Sequence, residues 1–405
     1  MARAASFTLF IGIALALLGG MHYYLWARLV RDTALPGPWR RIAAAALVLA
    51  AVSLPAGMVA ARMAGRHLAR VLPLVAFVWL GVAFLLVSAL LVADALRLAS
   101  AGAGWLSEWL RRASDPPADP ARRLFVARAL AGGAALAAGG AGAIAFRSAT
   151  GPAEIHEVPV RLARLPRELS GLTLAQITDL HVGPTIGERE VRRVVEQVND
   201  LRPDAVVITG DLVDGGVAEL GRAVGHLATL RARHGVFFVT GNHEYYSGVS
   251  AWLAELSRLG IRVLRNERVA LGDANPGGAT IDLAGVHDWS AGRFGGDRGH
   301  GPDLGAALAG RDPDRSLVLL AHQPRGVGEA VKAGVELQIS GHTHGGQIFP
   351  FNLLVGAVYP YVHGLHEHRE GERAGQIFVS RGTGYWGPPM RLGFPPEVAK
   401  IVLTA

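Results

Sequence analysis

The feature that most constrains this chain is a long run without a charged side chain, residues 71–93. A helix needs about 20 apolar residues to cross the hydrocarbon core of a bilayer. Residues 7–26 and 42–61 have the same character, and the Ala- and Gly-rich residues 129–146 have it more weakly. Buried helices of a soluble domain are the alternative, but several long uncharged runs in succession are rare in soluble cores. We therefore predict an all-α transmembrane region of about four helices over residues 1–150.

The composition agrees with contact to lipid. Half of the residues are hydrophobic and 18% are charged, whereas soluble domains are usually more polar. The lack of cysteine excludes disulfides and thiolate metal sites. The net charge of +7 is compatible with a nucleic-acid partner, but many arginines flank the apolar segments, where they would meet lipid headgroups. We expect a lipid bilayer and no nucleic acid as partner, and the sequence sets no oligomeric state.

The placement of arginines predicts the orientation. Cytoplasmic loops of membrane proteins are enriched in Lys and Arg. The loops after the first and third segments hold most of the arginines in this region, including Arg40, Arg41, Arg111 and Arg112. These loops are therefore predicted to be cytoplasmic, which places the C-terminal part of the chain outside.

A pair of arginines also precedes the fourth segment. Residues 122–126 resemble a twin-arginine export signal, in which two arginines precede a mildly hydrophobic stretch. The match is partial, because Ala121 stands where Ser or Thr is usual. Residues 129–146 are then either a retained helix or a cleaved export signal. The arginine pair points to the same orientation, so we predict a multi-pass protein of a bacterial cell membrane with an extracytoplasmic C-terminal domain.

The remainder of the chain is predicted to be a linker, 151–171, that contains Pro152, Pro159 and Pro166, and a second domain, 172–405. Strands are predicted at 172–178, 205–209, 236–240, 280–286, 317–320, 337–339, 377–379 and 398–403, and helices at 188–201, 220–230 and 249–259. The early strand–helix–strand units favour parallel pairing, whereas the later strands lack clear helices between them. We therefore predict an α/β fold with mixed sheets.

Polar residues follow five of the predicted strands, at the point where each strand ends. They are Asp179 and His181; Asp211; Asn242, His243 and Glu244; His322; and His342 and His344. In open α/β sheets ligands bind beyond the carboxyl ends of the strands, so the five clusters are expected to converge on one crevice. Asp-x-His alone is a weak signal and Gly-Asp alone also fits an ordinary turn, whereas Gly-Asn-His-Glu is more specific and Gly-His-Thr-His-Gly-Gly is a strong signal. All five in this order at strand ends argue against a purely structural interpretation.

The residue types indicate metal chemistry. Imidazole and carboxylate together suit Mn, Fe or Zn, and a bridging carboxylate holds two ions about 4 Å apart. Two such ions clamp a phosphate and lower the pKa of a bridging water, which then attacks as hydroxide. A nearby histidine can protonate the leaving alkoxide.

The order Asp-x-His, Gly-Asp, Gly-Asn-His-Glu, His and Gly-His-x-His resembles the calcineurin-like metallophosphoesterase superfamily. The longer forms Gly-Asp-Leu-Val-Asp at 210–214 and Gly-His-Thr-His-Gly-Gly-Gln at 341–347 are similar to its bacterial membrane-associated branch, the YkuE/YaeI-type phosphohydrolases. The resemblance covers residues 172–403 and implies a four-layer-type sandwich with mixed sheets. It also implies a metal-dependent phosphoric ester hydrolase.

The resemblance further implies roles for single residues. The expected ligands of a first divalent ion are Asp179, His181 and His344; Asp211 is expected to bridge both ions; and Asn242, His322 and His342 are expected to bind the second. His243 is the expected proton donor to the leaving group. Asp214 and Glu244 are expected to orient ligands.

Other polar residues are interpreted as lying outside the site. His363, His366 and His368 are expected in a solvated loop rather than at a metal. His287 and Asp288 are expected in a surface turn. Arg381 and Arg391 are expected to be exposed charges.

The substrate is predicted to be a lipid-linked or cell-envelope phosphoester, because a domain tethered to a bilayer meets lipids at high local concentration. Apolar residues of the late loops, among them Trp289, Phe349, Leu353, Leu354 and Trp386, would form a lipid-facing rim if exposed, and core packing is the alternative. A general phosphodiesterase for soluble nucleotides competes with this hypothesis. A membrane sensor or binding module without turnover is the alternative of another class.

Overall fold

A computed structural model of the chain describes residues 2–63, 68–111, 119–273, 275, 277–294 and 301–405. The chain divides into two compact units, Met1–Arg147 and Ser148–Ala405. The first unit consists of helices in its described residues, and the second carries both sheets.

Four helices form the described part of the first unit, and the last of them ends three residues beyond its boundary. They are α1 (Ala2–Trp26), α2 (Gly37–Met63), α3 (Leu68–Arg111) and α4 (Pro120–Thr150), and a π-helical turn, Ala27–Arg31, continues α1. Each contains a stretch long and apolar enough to cross a membrane. The prediction of four apolar helices is confirmed, although α3 continues well beyond the predicted 71–93, because its Ala- and Leu-rich continuation also favours helix.

Several polar side chains of α1, its π-helical continuation and α3 pair with one another. Asp94 of α3 accepts hydrogen bonds from Arg28 Nη2 (2.6 Å) and Tyr24 Oη (2.7 Å), and Trp79 Nε1 donates to His22 Nε2 (2.9 Å). Charged and polar groups in apolar surroundings are costly unless they are paired. These contacts therefore tie α1 to α3.

The second unit contains two six-stranded sheets. The first has the order β1-β12-β2-β3-β4-β5 and the second the order β10-β11-β9-β8-β7-β6. The strands are β1 (Glu154–Arg161), β2 (Thr173–Ile177), β3 (Ala205–Ile208), β4 (Val236–Phe238), β5 (Arg262–Val263), β6 (Glu267–Gly272), β7 (Thr280–Gly285), β8 (Leu317–Leu320), β9 (Leu337–Ser340), β10 (Gly364–Glu370), β11 (Arg373–Val379) and β12 (Glu397–Thr404). Each sheet combines parallel and antiparallel pairs, as predicted.

The second unit also contains helices among its described residues. They are α5 (Glu188–Asp200), α6 (Val217–Val224), α7 (Asn242–Tyr246), α8 (Val249–Arg258), α9 (Ala291–Phe294), α10 (Leu304–Leu308), α11 (Val327–Lys332) and α12 (Phe351–Val358). In α5 the buried valines 191, 194, 195 and 198 recur at the helical period and so form one face.

Three apolar layers hold this arrangement together. One lies between the sheets and includes Leu174, Leu283 and Phe378. A second lies under α5 and α8 and includes Trp252, and a third lies under α10 and α11 and includes Ala307. Helices, sheet, sheet and helices therefore form four layers, which confirms the predicted fold class.

Residues 151–171, predicted as a linker, contain the edge strand β1. It pairs in parallel with β12, from Glu154 opposite Glu397 to Arg161 opposite Thr404. The amides of Glu154 and Leu162 donate towards β12. Because donors alternate along a strand, Pro159 falls where the nitrogen points away from the sheet, so an edge strand accommodates it.

Candidate metal centre

The five predicted clusters of polar residues meet at one place in the second unit. In the first sheet β2, β3 and β4 are parallel neighbours, so the loops that follow them leave from the same edge. In the second sheet β8 and β9 are likewise parallel neighbours. The two edges lie close together, as the hydrogen bond from Gln176 Nε2 of β2 to the Ser340 carbonyl oxygen of β9 (3.0 Å) shows.

Five of the predicted ligands have a left-handed backbone. The angle φ is 51° at Asp179 and at His181, 49° at Asp211, 71° at His342 and 53° at His344. This conformation costs free energy for residues with a Cβ, and it concentrates at functional sites. Hydrogen bonds between neighbouring loops hold it, since Asp179 N donates to Gly210 O (3.0 Å) and His181 N donates to Asp211 O (3.1 Å).

Two glycines allow the backbone to pass beside the carboxylates. A Cβ at Gly241 would collide with Asp211 Oδ1, and a Cβ at Gly341 would collide with Asp179 Oδ2. The requirement for glycine at both positions is therefore close approach.

A first group of possible ligand atoms comes from Asp179, His181 and His344, which are all buried and lie within 4.8 Å of one another. His344 Nε2 lies 3.1 Å from His181 Nε2 and 3.4 Å from Asp179 Oδ1. His181 Nδ1 lies 3.0 Å from Asp214 Oδ1. Because an ionised carboxylate only accepts, Nδ1 carries the proton, and the lone pair of Nε2 faces the centre of the group.

A second group comes from Asp211, His322 and His342, again within 4.8 Å of one another. His322 Nδ1 donates to the Thr209 carbonyl oxygen (2.7 Å), which leaves Nε2 facing Asp211 Oδ2 (3.1 Å) and His342 Nδ1 (3.2 Å). Burial alone would raise the pKa of Asp211, but the imidazoles of His322 and His243 hold it well below its usual range. Asp211 is therefore a carboxylate.

Asp211 also connects the second group to the first, since its ligand atom lies within 4.8 Å of the ligand atoms of His181 and His243. His243 Nδ1 lies 2.6 Å from Asp214 Oδ1, and the His243 amide donates to Asp211 Oδ1 (2.8 Å). Burial would lower the pKa of His243, but Asp214 and Asp211 raise it to about 9. The same Asp214 oxygen therefore orients one imidazole from each side of the bridge position.

Glu244 joins the loops that follow β3 and β4. Its fully buried carboxylate accepts from the amides of Gly241 (2.6 Å), Leu212 (2.7 Å) and Asp211 (3.1 Å). This side chain fixes the backbone that presents Asp211 and Asn242.

The residues present suit a divalent cation. Asn242 Oδ1 is buried and has no hydrogen-bond partner, and imidazole nitrogens face each other at 3.1 and 3.2 Å in the two groups. Buried carboxylates and orphaned acceptors are costly unless paired or coordinated. Carboxylate, imidazole and amide oxygen donors together suit Mn, Fe or Zn.

Comparison with known proteins agrees with this geometry. Residues 172–346 match a family described as calcineurin-like phosphoesterase. An uncharacterized metallophosphoesterase of Aquifex aeolicus is 35% identical, over 62% of this chain and 91% of its own length. The chain belongs to the calcineurin-like phosphoesterase family.

Two further relatives of this calcineurin-like phosphoesterase carry more specific names. A Bos taurus protein named transmembrane protein with metallophosphoesterase domain is 41% identical, over 65% of this chain and 60% of its own length. The uncharacterized metallophosphoesterase YkuE of Bacillus subtilis is 28% identical, over 68% of this chain and 94% of its own length. The predicted family and its resemblance to YkuE are confirmed, while the chain spans only about three fifths of the bovine relative.

Two residues at the centre of this phosphoesterase were not predicted from the sequence. Arg391, predicted as an exposed charge, is 1% exposed. Its guanidinium donates to the carbonyl oxygens of His344 and Arg381 and lies 3.0 Å from His344 Nδ1. Tyr359 Oη lies 2.9 Å from His342 Nε2. Neither belongs to a strand-end cluster, which is the signal that identified the other residues.

Two other expectations were wrong. Asp288 is buried rather than in a surface turn, because its carboxylate accepts from Gln323 Nε2 (2.9 Å) and from Ser290 N (2.7 Å). His366 and His368 lie on the edge strand β10 rather than in a loop, and β10 has few apolar residues to reveal it. Within the described residues, neither histidine belongs to a group of possible metal ligands.

Proposed function

We propose that this protein is a membrane-anchored phosphohydrolase that cleaves phosphoester bonds with two divalent ions. The observation that carries the proposal is the pair of ligand groups, Asp179, His181 and His344 on one side and Asp211, His322 and His342 on the other. The first group would hold one ion, and the second, together with Asn242, would hold the other. Asp211 would bridge the two ions, and the closeness of its ligand atom to that of His181 supports this role.

Divalent ions bound there would supply positive charge to the phosphate and acidify water. The protein would contribute the arrangement around them. Asp214 and the Thr209 carbonyl fix the tautomers of His181 and His322, so that both Nε2 lone pairs point inward. Buried surroundings exclude bulk water and so strengthen every charge interaction with the phosphate.

His243 is the residue best placed to transfer the proton. Its side chain is 15% exposed, whereas those of Asp211 and His322 are 3% and 0% exposed. Asp214 holds Nδ1, which leaves Nε2 for the substrate. His243 Nε2 would donate its proton to the oxygen of the leaving group as the phosphorus–oxygen bond breaks.

The proposed substrate is a lipid-linked or cell-envelope phosphoester, and the proposed location is a bacterial cell membrane with this unit outside. Four helices of membrane-spanning length support anchoring. The arginines between the first and second apolar segments and between the third and fourth support the orientation. A lipid or envelope phosphoester would then reach the site at high local concentration.

The test is hydrolysis by the full chain in lipid nanodiscs with added Mn²⁺, Fe²⁺ or Zn²⁺. Bis-p-nitrophenyl phosphate and p-nitrophenyl phosphate distinguish diester from monoester cleavage. Asp211→Asn should abolish turnover, because the bridging carboxylate is lost. Asp314→Asn, an exposed change in the same unit, is the matched control and should retain it.

The same discs separate the competing functions. A higher kcat/KM for a phospholipid or lipid-linked sugar phosphate than for a nucleotide diester would support the proposed substrate. The reverse order would favour the soluble-nucleotide phosphodiesterase. A folded protein that binds two ions but cleaves none of these esters would contradict hydrolysis and favour the binding module.

A further inference from the structure

The helix α12 lies on the surface without a buried face. None of its residues is buried, and Leu353, Leu354 and Val358 are 65%, 62% and 67% exposed. A helix on a water-facing surface normally turns its apolar side towards the core. Here the apolar side chains face outward instead.

The exposed apolar surface extends beyond the helix. Phe349 and Trp386 are 51% and 56% exposed. Gln347 joins the two segments, since its Nε2 donates to the Trp386 carbonyl oxygen (2.9 Å) and its Oε1 accepts from Trp386 N (3.0 Å). We call Phe349, Leu353, Leu354, Val358 and Trp386 the apolar rim.

The apolar rim adjoins the candidate metal centre on two sides. Tyr359, the residue after α12, contacts His342 Nε2 through its hydroxyl at 2.9 Å. The ring of Trp386 packs edge-on against that of His243, with centroids 5.8 Å apart. A surface that binds the apolar rim therefore brings its own phosphates close to His342 of the second ligand group and to His243.

The charges around the apolar rim suit a lipid surface. Residues 345–362 contain no Asp, Glu, Lys or Arg. Beside this segment, the exposed Arg325 guanidinium lies 5.3 Å from the centre of the Tyr359 ring. An apolar face with a cationic side chain beside it suits insertion at the interface of anionic membranes.

We propose that the apolar rim inserts into the interface of the lipid bilayer and presents the metal centre to phosphoesters at headgroup level. The proposal rests on the proposed function, which supplies the phosphoester chemistry. A bilayer is favoured as the occupant because the same chain carries four helices of membrane-spanning length. A lipid surface also requires no hydrogen-bonding side chains from the segment, and residues 348–351 and 353–358 offer none.

The test measures contact with lipid directly, in the full chain. The protein contains no cysteine, so Leu354→Cys adds one labelling site for a small fluorophore. Ile155→Cys, an apolar residue of β1 that is 45% exposed, is the matched control. Both labelled proteins are placed in nanodiscs made with plain or with acyl-brominated phospholipids, because bromine quenches a fluorophore within contact distance.

An apolar face that inserts about 5–10 Å comes within reach of the acyl chains, so brominated lipid should quench the label at position 354 at least about twofold and leave the control nearly unchanged. Leu353→Glu, added to Leu354→Cys, should reduce this quenching by placing a charge in the apolar rim. Equal quenching at positions 354 and 155 would contradict the proposal. Quenching at position 354 that decreases as the number of protein copies per disc rises would also contradict it, since a second copy would then cover α12.

Hydrolysis of bis-p-nitrophenyl phosphate in the same discs separates this proposal from the proposed function. Selective quenching without hydrolysis would support lipid docking and contradict the phosphohydrolase. Hydrolysis without selective quenching would contradict lipid docking alone.

Discussion

Asp214→Asn is the substitution with the sharpest expected effect on the proposed chemistry. One oxygen of Asp214 lies 2.6 Å from His243 Nδ1 and 3.0 Å from His181 Nδ1. Asparagine keeps the shape of the side chain but removes its negative charge, and its amide group has only one acceptor oxygen. The variant therefore withdraws the charge that keeps His243 protonated.

The magnitude follows from the pKa of His243. Asp214 and Asp211 raise it to about 9 against the effect of burial, and without Asp214 we expect it to return to the ordinary value of about 6.5. The protonated fraction at pH 8 would then fall from about 0.9 to about 0.03, a loss of about 30-fold, whereas at pH 6 it would remain above about 0.7. Because His243 is proposed to act as an acid, the alkaline limb of kcat should shift to lower pH.

The assay is kcat for bis-p-nitrophenyl phosphate from pH 6 to 9, for the full chain, with metal content measured on the same samples. The rate ratio of wild type to Asp214→Asn should rise from about 1.3 at pH 6 to about 30 at pH 8, an increase of about 20-fold. Asp314→Asn controls for the loss of a carboxylate. A rate ratio that does not change with pH, at equal metal content, would refute the assignment of His243 as the acid held by Asp214.

Two substitutions outside the ligands should affect stability. Arg391→Met should lower the free energy of unfolding by about 3 kcal/mol. Several buried carbonyl oxygens lose a hydrogen-bond donor, at about 1–3 kcal/mol each, and removal of the buried charge offsets part of this loss. The thermal unfolding midpoint, compared with that of the exposed Arg189→Met, checks this. Glu397→Gln should cost about 2 kcal/mol at pH 7, because burial would raise the pKa of Glu397 but Arg381 lowers it. A carboxyl group whose pKa is lowered on folding stabilises the protein at pH values above the pKa of the unfolded state. The loss of stability in Glu397→Gln should therefore shrink as the pH falls below about 4.5, and a loss that stays constant from pH 7 to 3 would contradict this.

The predicted part of the candidate site follows from one physical rule. Short buried strands such as β2, β3 and β9 leave a clear apolar signal, and parallel neighbours end at the same edge. Polar residues directly after such strands therefore converge whatever the details of the loops. This is why Asp179, Asp211 and His342 could be grouped from the sequence although up to 163 positions separate them.

The features that the sequence did not reveal depend on tertiary contacts. Arg391 is buried because the carbonyl oxygens of His344 and Arg381 accept from it, and an isolated arginine in a loop carries no sign of that environment. β1 and β10 are edge strands with one solvated face, so their apolar signal is weak. The left-handed backbone at Asp179 is also not revealed by the sequence, since glycine is the residue that most strongly marks such a turn.

The distribution of exposure indicates which part of the protein would select the substrate. The side chains of Asp179, His181 and His322 are 0%, 1% and 0% exposed, so the proposed ligands present little surface for distinguishing one phosphoester from another. His243, at 15%, is more accessible, and the ring that packs against it is the exposed Trp386 of the apolar rim. Under the proposed function, binding energy that depends on the group beyond the phosphate would therefore arise largely from the apolar rim and its neighbours. Substitutions there should change kcat/KM for lipid esters far more than for p-nitrophenyl esters, whereas substitutions among the proposed ligands should reduce both together.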